Sequence, residues 1–230
     1  MPTFAELLAQ FSFLASGPAS VGVLLTAALI VIFADWRISV LALAAQSILA
    51  GLLYSQILPP QVAGVKMMVG LLICVQLFIT ARTAYAAPPA VEGEPVGKSV
   101  ARKDARKNAR KTLGVSVGAP FRVVATLMVA VVSWQASTSP ALQLSEVTAP
   151  VGLAVYGLIA LGLLGLGLTE EPLRVGMCLI TVLTGFELYY AAVEPALAVM
   201  ALLAVMDFAV SLGACYLAVV RSLPQRSAAG

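Results

Sequence analysis

The sequence predicts an all-α integral membrane protein of about seven transmembrane helices. Three observations carry this. Of the residues, 60% are hydrophobic and only 11% charged, against roughly 25% charged in ordinary soluble domains, and the mean hydropathy is +0.98. Apolar runs of the length a bilayer demands, about 20 residues, recur along the chain. Prolines fall between these runs, where they start or stop helices, and not inside them.

Before the first run, "TFAELLAQFSFLAS" spaces Thr3 and Glu6 as a capping box, with Phe4, Leu7, Leu8, Phe11 and Leu14 at helical intervals. This predicts a short helix lying at the membrane interface. The first basic residue is Arg37. A cleaved signal needs a basic start, so the first helix is expected to be retained. The spans are then 19–34, 37–57 and 61–84, a break, and 120–137, 150–168, 172–192 and 196–220. Pro59-Pro60, Pro150, Pro172 and Pro195 mark their edges.

The break divides the chain into residues 1–85, with the interfacial helix and three spans, a loop over 86–118, and residues 119–230, with four spans. The loop begins Pro/Gly-rich and turns basic, with seven Lys/Arg against three acids, whereas the whole chain is only +3. Lys and Arg collect on the cytoplasmic side. The amino terminus is therefore expected outside and the carboxyl terminus in the cytoplasm, in a cell inner (plasma) membrane. Other charges agree. Asp35, Arg37, Arg82, Glu170, Glu171, Arg174, Arg221 and Arg226 fall inside, and the outer loops hold only Glu146 and Glu194. Within the loop, "ARKDARKNARK" repeats every four residues. As a helix it would present Arg102, Lys103, Arg106, Lys107, Arg110 and Lys111 for anionic lipid or an acidic partner; the plainer reading is a topology signal on a solvated face. No aromatic interleaving or nucleic-acid module accompanies it, so nucleic acid is not an expected partner.

Several chemistries drop out. Histidine is absent, which removes His-ligated haem and every triad built on imidazole. Cys74, Cys178 and Cys215 are scattered through apolar runs and read as small buried hydrophobes. There is no Gly-rich nucleotide loop. No cofactor, no metal and no catalytic residue is expected on this chain.

What remains is polarity inside the spans, which is costly there and so a pointer to function. Asp207 stands about twelve residues into the last span, near mid-membrane, with Ser211 and Cys215 on the same face. Glu187 lies nearer the outer end of its span, one turn after Thr184 and beside Gly185. Glu194 precedes Pro195 at a helix start, where a carboxylate suits the positive dipole end. Lys66 enters the third span from outside, shallow enough to snorkel. Gln46 and Gln76 lie deeper, where amides commonly bridge helices. Arg122, at the inner end of its span, is expected to snorkel. The fifth span is glycine-rich, which permits close packing. The halves also look loosely alike. "RISVLALAAQSILAGLLY" (37–54) and "RVGMCLITVLTGFELYY" (174–190) each open on Arg and close on Tyr, a hint of two three-helix repeats.

Over residues 150–220, a three-helix unit with an inside turn and then R-V-G-M-C-L-I-T-V-L-T-G-F-E resembles the NuoK-type small subunit of proton-pumping NADH dehydrogenase, with MrpC of multisubunit antiporters and the HyfE-type component of group 4 hydrogenases as relatives. The extra helices ahead resemble the longer HyfE branch. Gly185-Phe186-Glu187 matches that family's Gly-x-Glu, and Asp207 stands for the acid of the next helix. The resemblance implies a non-catalytic subunit of an ion-translocating respiratory or antiporter-like complex. Antiporter-like membrane subunits would be its partners, Glu187 and Asp207 its proton relay, and Lys66 a compensating charge, with Gln46, Gln76 and Glu194 as further polar candidates. Two other readings stay open: a small stand-alone transporter built of two three-helix halves, and an anchor that recruits a partner through its basic loop.

Overall fold

The computed structural model describes residues 17–33, 35–85, 119–140, 147–194 and 196–227. The interfacial helix expected before residue 17, the basic loop with Arg102 to Lys111, and Glu146 lie outside the described residues. Among the described residues seven helices follow in order: α1 (Gly17–Ile32), α2 (Trp36–Ile57), α3 (Pro60–Tyr85), α4 (Ala119–Thr138), α5 (Ala149–Leu168), α6 (Pro172–Val193) and α7 (Leu197–Ser227). Each coincides with an expected span to within a few residues, except that α7 runs on to Ser227. No strand occurs among the described residues. Six of the helices are long and apolar enough to cross a bilayer, and the described part of α1 is a shorter apolar helix. The protein is an all-α, multi-pass membrane protein.

Proline chemistry sets the ends. Pro150 and Pro172 occupy the first turns of α5 and α6, where the missing N–H has no partner to lose. Leu58 precedes Pro59, and its backbone is extended at φ −110°, ψ 157°. Glu194 precedes Pro195 and is extended at φ −144°, ψ 98°. A residue before proline is driven out of the helical region, so α2 and α6 stop for the same reason. Their last turns close alike, with the Leu58 and Glu194 N–H groups bonded to the carbonyls of Tyr54 at 2.8 Å and Tyr190 at 2.9 Å.

The helices pack by counterpart. Besides its neighbours in sequence, α1 packs on α5, α2 on α6 and α3 on α7. All three pairs are parallel. Gly157 and Gly165 of α5 meet Leu24 and Val31 of α1 in the same order. Gln46 and Tyr54 of α2 meet Thr181 and Thr184 of α6, and Lys66 and Gln76 of α3 meet Asp207 and Ser211 of α7. The two three-helix halves thus point the same way. α4 lies against α5 and α1, and Arg122 near its start reaches Leu168 at the end of α5, so it runs antiparallel to α5.

Half of α2 and α6 and 56% of α5 are buried, against 22% or less of α3, α4 and α7; the first three are central. The outward stripe of α3 is Val65, Met68, Leu72, Val75 and Ile79, a three-four spacing that puts one apolar face toward lipid. A surface this apolar would be a liability in water and suits hydrocarbon.

Inside, two apolar clusters stack along the bundle axis. One holds Val23, Leu53, Leu58, Ala63, Leu158, Leu188 and Met200. It lies toward the end where α2 meets α3 and α6 meets α7, called here the proline end. The other holds Ile30, Leu43, Ile73, Leu77, Leu173, Met177 and Cys215, toward the opposite end. The buried Gln46, Lys66, Thr181, Glu187, Asp207 and Ser211 fall between them.

Glycine makes the central contacts close. A Cβ on Gly162 of α5 would lie 2.6 Å from Val182 Cγ2 and 3.0 Å from the Cys178 carbonyl oxygen and the Val182 nitrogen of α6. Backbone atoms cannot step aside cheaply. Gly162→Ala is therefore expected to lower stability by about 1–3 kcal/mol. Gly152→Ala, with nothing within 4 Å of the added methyl, should stay within about 1 kcal/mol of wild type or gain slightly from helix propensity. Thermal unfolding of the two variants in lipid nanodiscs checks the contrast.

Candidate functional site: a lysine shared by two intramembrane carboxyls

Three helices bring one cation and two acids together in the polar layer. Lys66 of α3 places Nζ 2.5 Å from Glu187 Oε1 of α6 and 3.5 Å from Asp207 Oδ2 of α7. All three side chains are more than nine-tenths buried. Lys66 does not snorkel, contrary to expectation. Its depth, about 9 Å from the start of α3 at 1.5 Å per residue, would permit it. Its rotation does not: Lys66 sits opposite the lipid-facing stripe, on the side of Ala63, Gly70 and Ile73, and points at the acids. Glu187, near the end of α6, lies at a matching depth.

Tyr54 of α2 completes the group. Its hydroxyl donates to Glu187 Oε2 at 3.3 Å and lies 3.4 Å from the Thr184 carbonyl oxygen. The sequence does not disclose this role, because a tyrosine in the last turn of a membrane helix reads as an interfacial anchor. The available signal is its spacing: Gln46, Ala50 and Tyr54 share one face of α2, and all are buried.

A cavity of about 30 Å³ opens between α2, α3, α6 and α7, with Ser47, Tyr54, Lys66, Thr184, Glu187 and Asp207 as its polar lining. One water needs about 10–15 Å³ measured this way, so it takes about two. Asp207 Oδ1 is buried with no hydrogen-bond partner in the protein, while Oδ2 faces Lys66.

Further polar contacts continue toward the other end. On the α2–α6 side, Gln46 Nε2 donates to Thr181 Oγ1 at 3.4 Å, and the Thr181 and Thr184 hydroxyls donate to carbonyls four residues back, those of Met177 and Ile180. On the α3–α7 side, the Ser211 hydroxyl donates to Gln76 Oε1 at 3.2 Å, and Gln76 Nε2 reaches Cys215 Sγ at 3.8 Å. Both amides bridge helices as expected. Neither touches the Lys66 group directly. Glu194 stands apart, exposed at the end of α6, and its side chain is not part of the cluster.

The arginines do something the sequence does not suggest. Arg174 is buried in α6 at 5% exposure, and its Nη2 donates to the carbonyls of Ile30, at 3.2 Å, and Phe33. These are carbonyls at the end of α1, where helical partners run out, and the Phe33 carbonyl also accepts from the Ser39 hydroxyl at 3.4 Å. Arg122 behaves alike. Reaching toward its own end of the bundle, its Nη2 donates to the Leu168 carbonyl at 3.1 Å, and its Nε is buried without a hydrogen-bond partner. Arg221 Nη1 donates to the Glu170 carbonyl at 2.9 Å. Arg37, which matches Arg174 in the half-to-half comparison, is exposed and lies over the Trp36 ring at 5.3 Å. The paired halves therefore use their leading arginines differently.

All three cysteines are buried and free. Among the described residues no three Cys, Asp or Glu side chains are grouped as a metal site would need. What the arrangement offers is a lysine–carboxyl cluster with room for water and little else. Compared with protein-family models, with curated proteins and with solved structures, the chain gives no significant match.

Proposed function

We propose that this chain is a non-catalytic membrane subunit that passes protons through the Lys66–Glu187–Asp207 cluster. The assembly would be an ion-translocating complex of the NADH dehydrogenase, hydrogenase or multisubunit antiporter kind. The observation that carries the reading is one lysine in reach of two buried carboxyls beside a cavity of water size. Buried acids with a shared cation change their proton affinity together when any one of them changes charge. That is the property a relay needs. The cavity has room for about two waters, which suits proton traffic. The choice of assembly rests on the likeness of residues 150–220 to NuoK- and HyfE-type subunits. In this reading the proline end faces outside and the basic loop the cytoplasm, where its arginines and lysines would meet anionic lipid or a neighbouring subunit.

Glu187→Gln tests this. The substitution keeps size and hydrogen-bonding shape but removes the charge nearest Lys66, which then turns wholly to Asp207. Proton translocation coupled to turnover of the complex should fall about 10²-fold, measured as acidification by membrane vesicles. Co-purification of the subunits should be unchanged. Full-rate pumping by the variant would remove the proposal.

The parallel counterpart pairing of the two halves favours a second reading, a self-contained proton carrier. The wild-type chain reconstituted alone in liposomes decides between the two: it should be silent as a subunit and conduct protons as a carrier.

A further inference from the structure

We infer that Asp207 is the carboxyl that loads and unloads the proton, while Glu187 stays ionised as the standing counter-charge of Lys66. This rests on the proton-translocation reading above and assigns unequal roles to the two acids it uses.

The first ground is the bonding of each acid. Both oxygens of Glu187 are occupied by donors, Oε1 by the Lys66 ammonium at 2.5 Å and Oε2 by the Tyr54 hydroxyl at 3.3 Å. That pattern suits a carboxylate, which only accepts. Asp207 is held more loosely, with Oδ2 at 3.5 Å from Lys66 and its carboxyl against that of Glu187, and its buried Oδ1 has no hydrogen-bond partner in the protein. A bare carboxylate oxygen left so is costly, whereas a carboxylic O–H there can donate to water in the adjoining cavity.

The second ground is charge. The ionisable groups around Asp207 are Lys66 from α3, Glu187 from α6 and Tyr54 from α2; Ser211 and Cys215 follow on its own helix. With Lys66 and both acids ionised, the buried cluster would carry an unpaired negative charge. Lys66 with one carboxylate is neutral, and the second acid is then best protonated. The acid closer to the ammonium, at 2.5 Å against 3.5 Å, keeps the negative charge, because the attraction grows as distance falls.

The step is simple in its balance. Loading forms an O–H bond on Asp207 with a proton delivered through cavity water from one side of the membrane. Unloading breaks that bond and passes the proton to water on the other side. No electrons move and no other bond changes.

The experiment is infrared spectroscopy of the full chain in lipid bilayers at neutral pH, following the C=O stretch of protonated carboxyls. One sample carries aspartate with a ¹³C side-chain carboxyl, another glutamate labelled likewise. The aspartates are Asp35, Asp104 and Asp207. The band should shift down with labelled aspartate, stay put with labelled glutamate, and vanish in Asp207→Asn. In Asp207→Glu it should return and follow the glutamate label. A band in the wild-type chain that shifts with labelled glutamate, a band that survives Asp207→Asn, or no protonated-carboxyl band would each overturn the assignment. The labelled wild-type chain decides the matter even if a variant fails to fold. The band locates the proton without turnover, so a glutamate-shifted band leaves proton translocation standing. Full-rate pumping by Glu187→Gln removes translocation and leaves the band to be judged by itself.

Discussion

Lys66→Met should destabilise the bundle by about 3–5 kcal/mol, the cost of removing one partner from a buried ion pair. The methionine fills much of the lysine's volume, so the loss is electrostatic and not a matter of packing. It strands Glu187 and Asp207 next to one another between two apolar clusters, with the Tyr54 hydroxyl as the nearest remaining donor to Glu187. Glu187, left without its cation, must then take up a proton to remain buried beside Asp207. The cycle closes with Lys66→Met combined with Glu187→Gln, which removes the stranded charge along with its partner. That double variant should recover most of the lost stability while staying inactive in proton translocation. Thermal unfolding in lipid nanodiscs reads the first quantity and vesicle acidification the second. A single variant as stable as wild type would mean that Lys66 does not neutralise the acids.

Arg174→Met should cost about 2–4 kcal/mol. Hydrogen bonds to a charged donor are worth roughly 1.5–3 kcal/mol each, and Arg174 supplies two of them to the end of α1. The Ile30 carbonyl would lose the donor that Arg174, itself 5% exposed, supplies there, and the Phe33 carbonyl would keep only the Ser39 hydroxyl at 3.4 Å. Hydrogen exchange in the last turn of α1 should rise, and the α1–α6 contact should loosen first. Arg37→Met is the control. Arg37 is exposed and stacks on Trp36, a contact worth about 1 kcal/mol or less. Equal losses for the two variants would show that Arg174 contributes only as a surface charge.

The helices are legible in the sequence because their cause is local. A long apolar run and a bounding proline need no partner to be recognised, and Leu58 and Glu194 are extended simply because proline follows. The acids are legible too, since Glu187 and Asp207 stand out against hydrocarbon. Lys66 misleads because counting residues from a helix end gives depth and not rotation. Its inward direction becomes readable only beside the outward stripe from Val65 to Ile79. Arg174 looks like one more flanking charge, since the carbonyls it holds, 141 and 144 residues earlier, belong to another helix. Tyr54 escapes notice for the same reason: its partner Glu187 is 133 residues away. Side chains that join distant helices carry no mark of that task in their own neighbourhood.

α4 has a consequence for how such a chain can be assembled. Three crossings leave the polypeptide on the far face of the bilayer, so a second triplet spliced directly onto the first would be threaded upside down. Lys66 would then confront the wrong storey of α7, away from Asp207. One additional pass restores the heading. The least buried helix of the seven, with no acid or amine in the cluster, thus acts as a turnstile that lets two like-directed halves close a single lysine–carboxyl cluster.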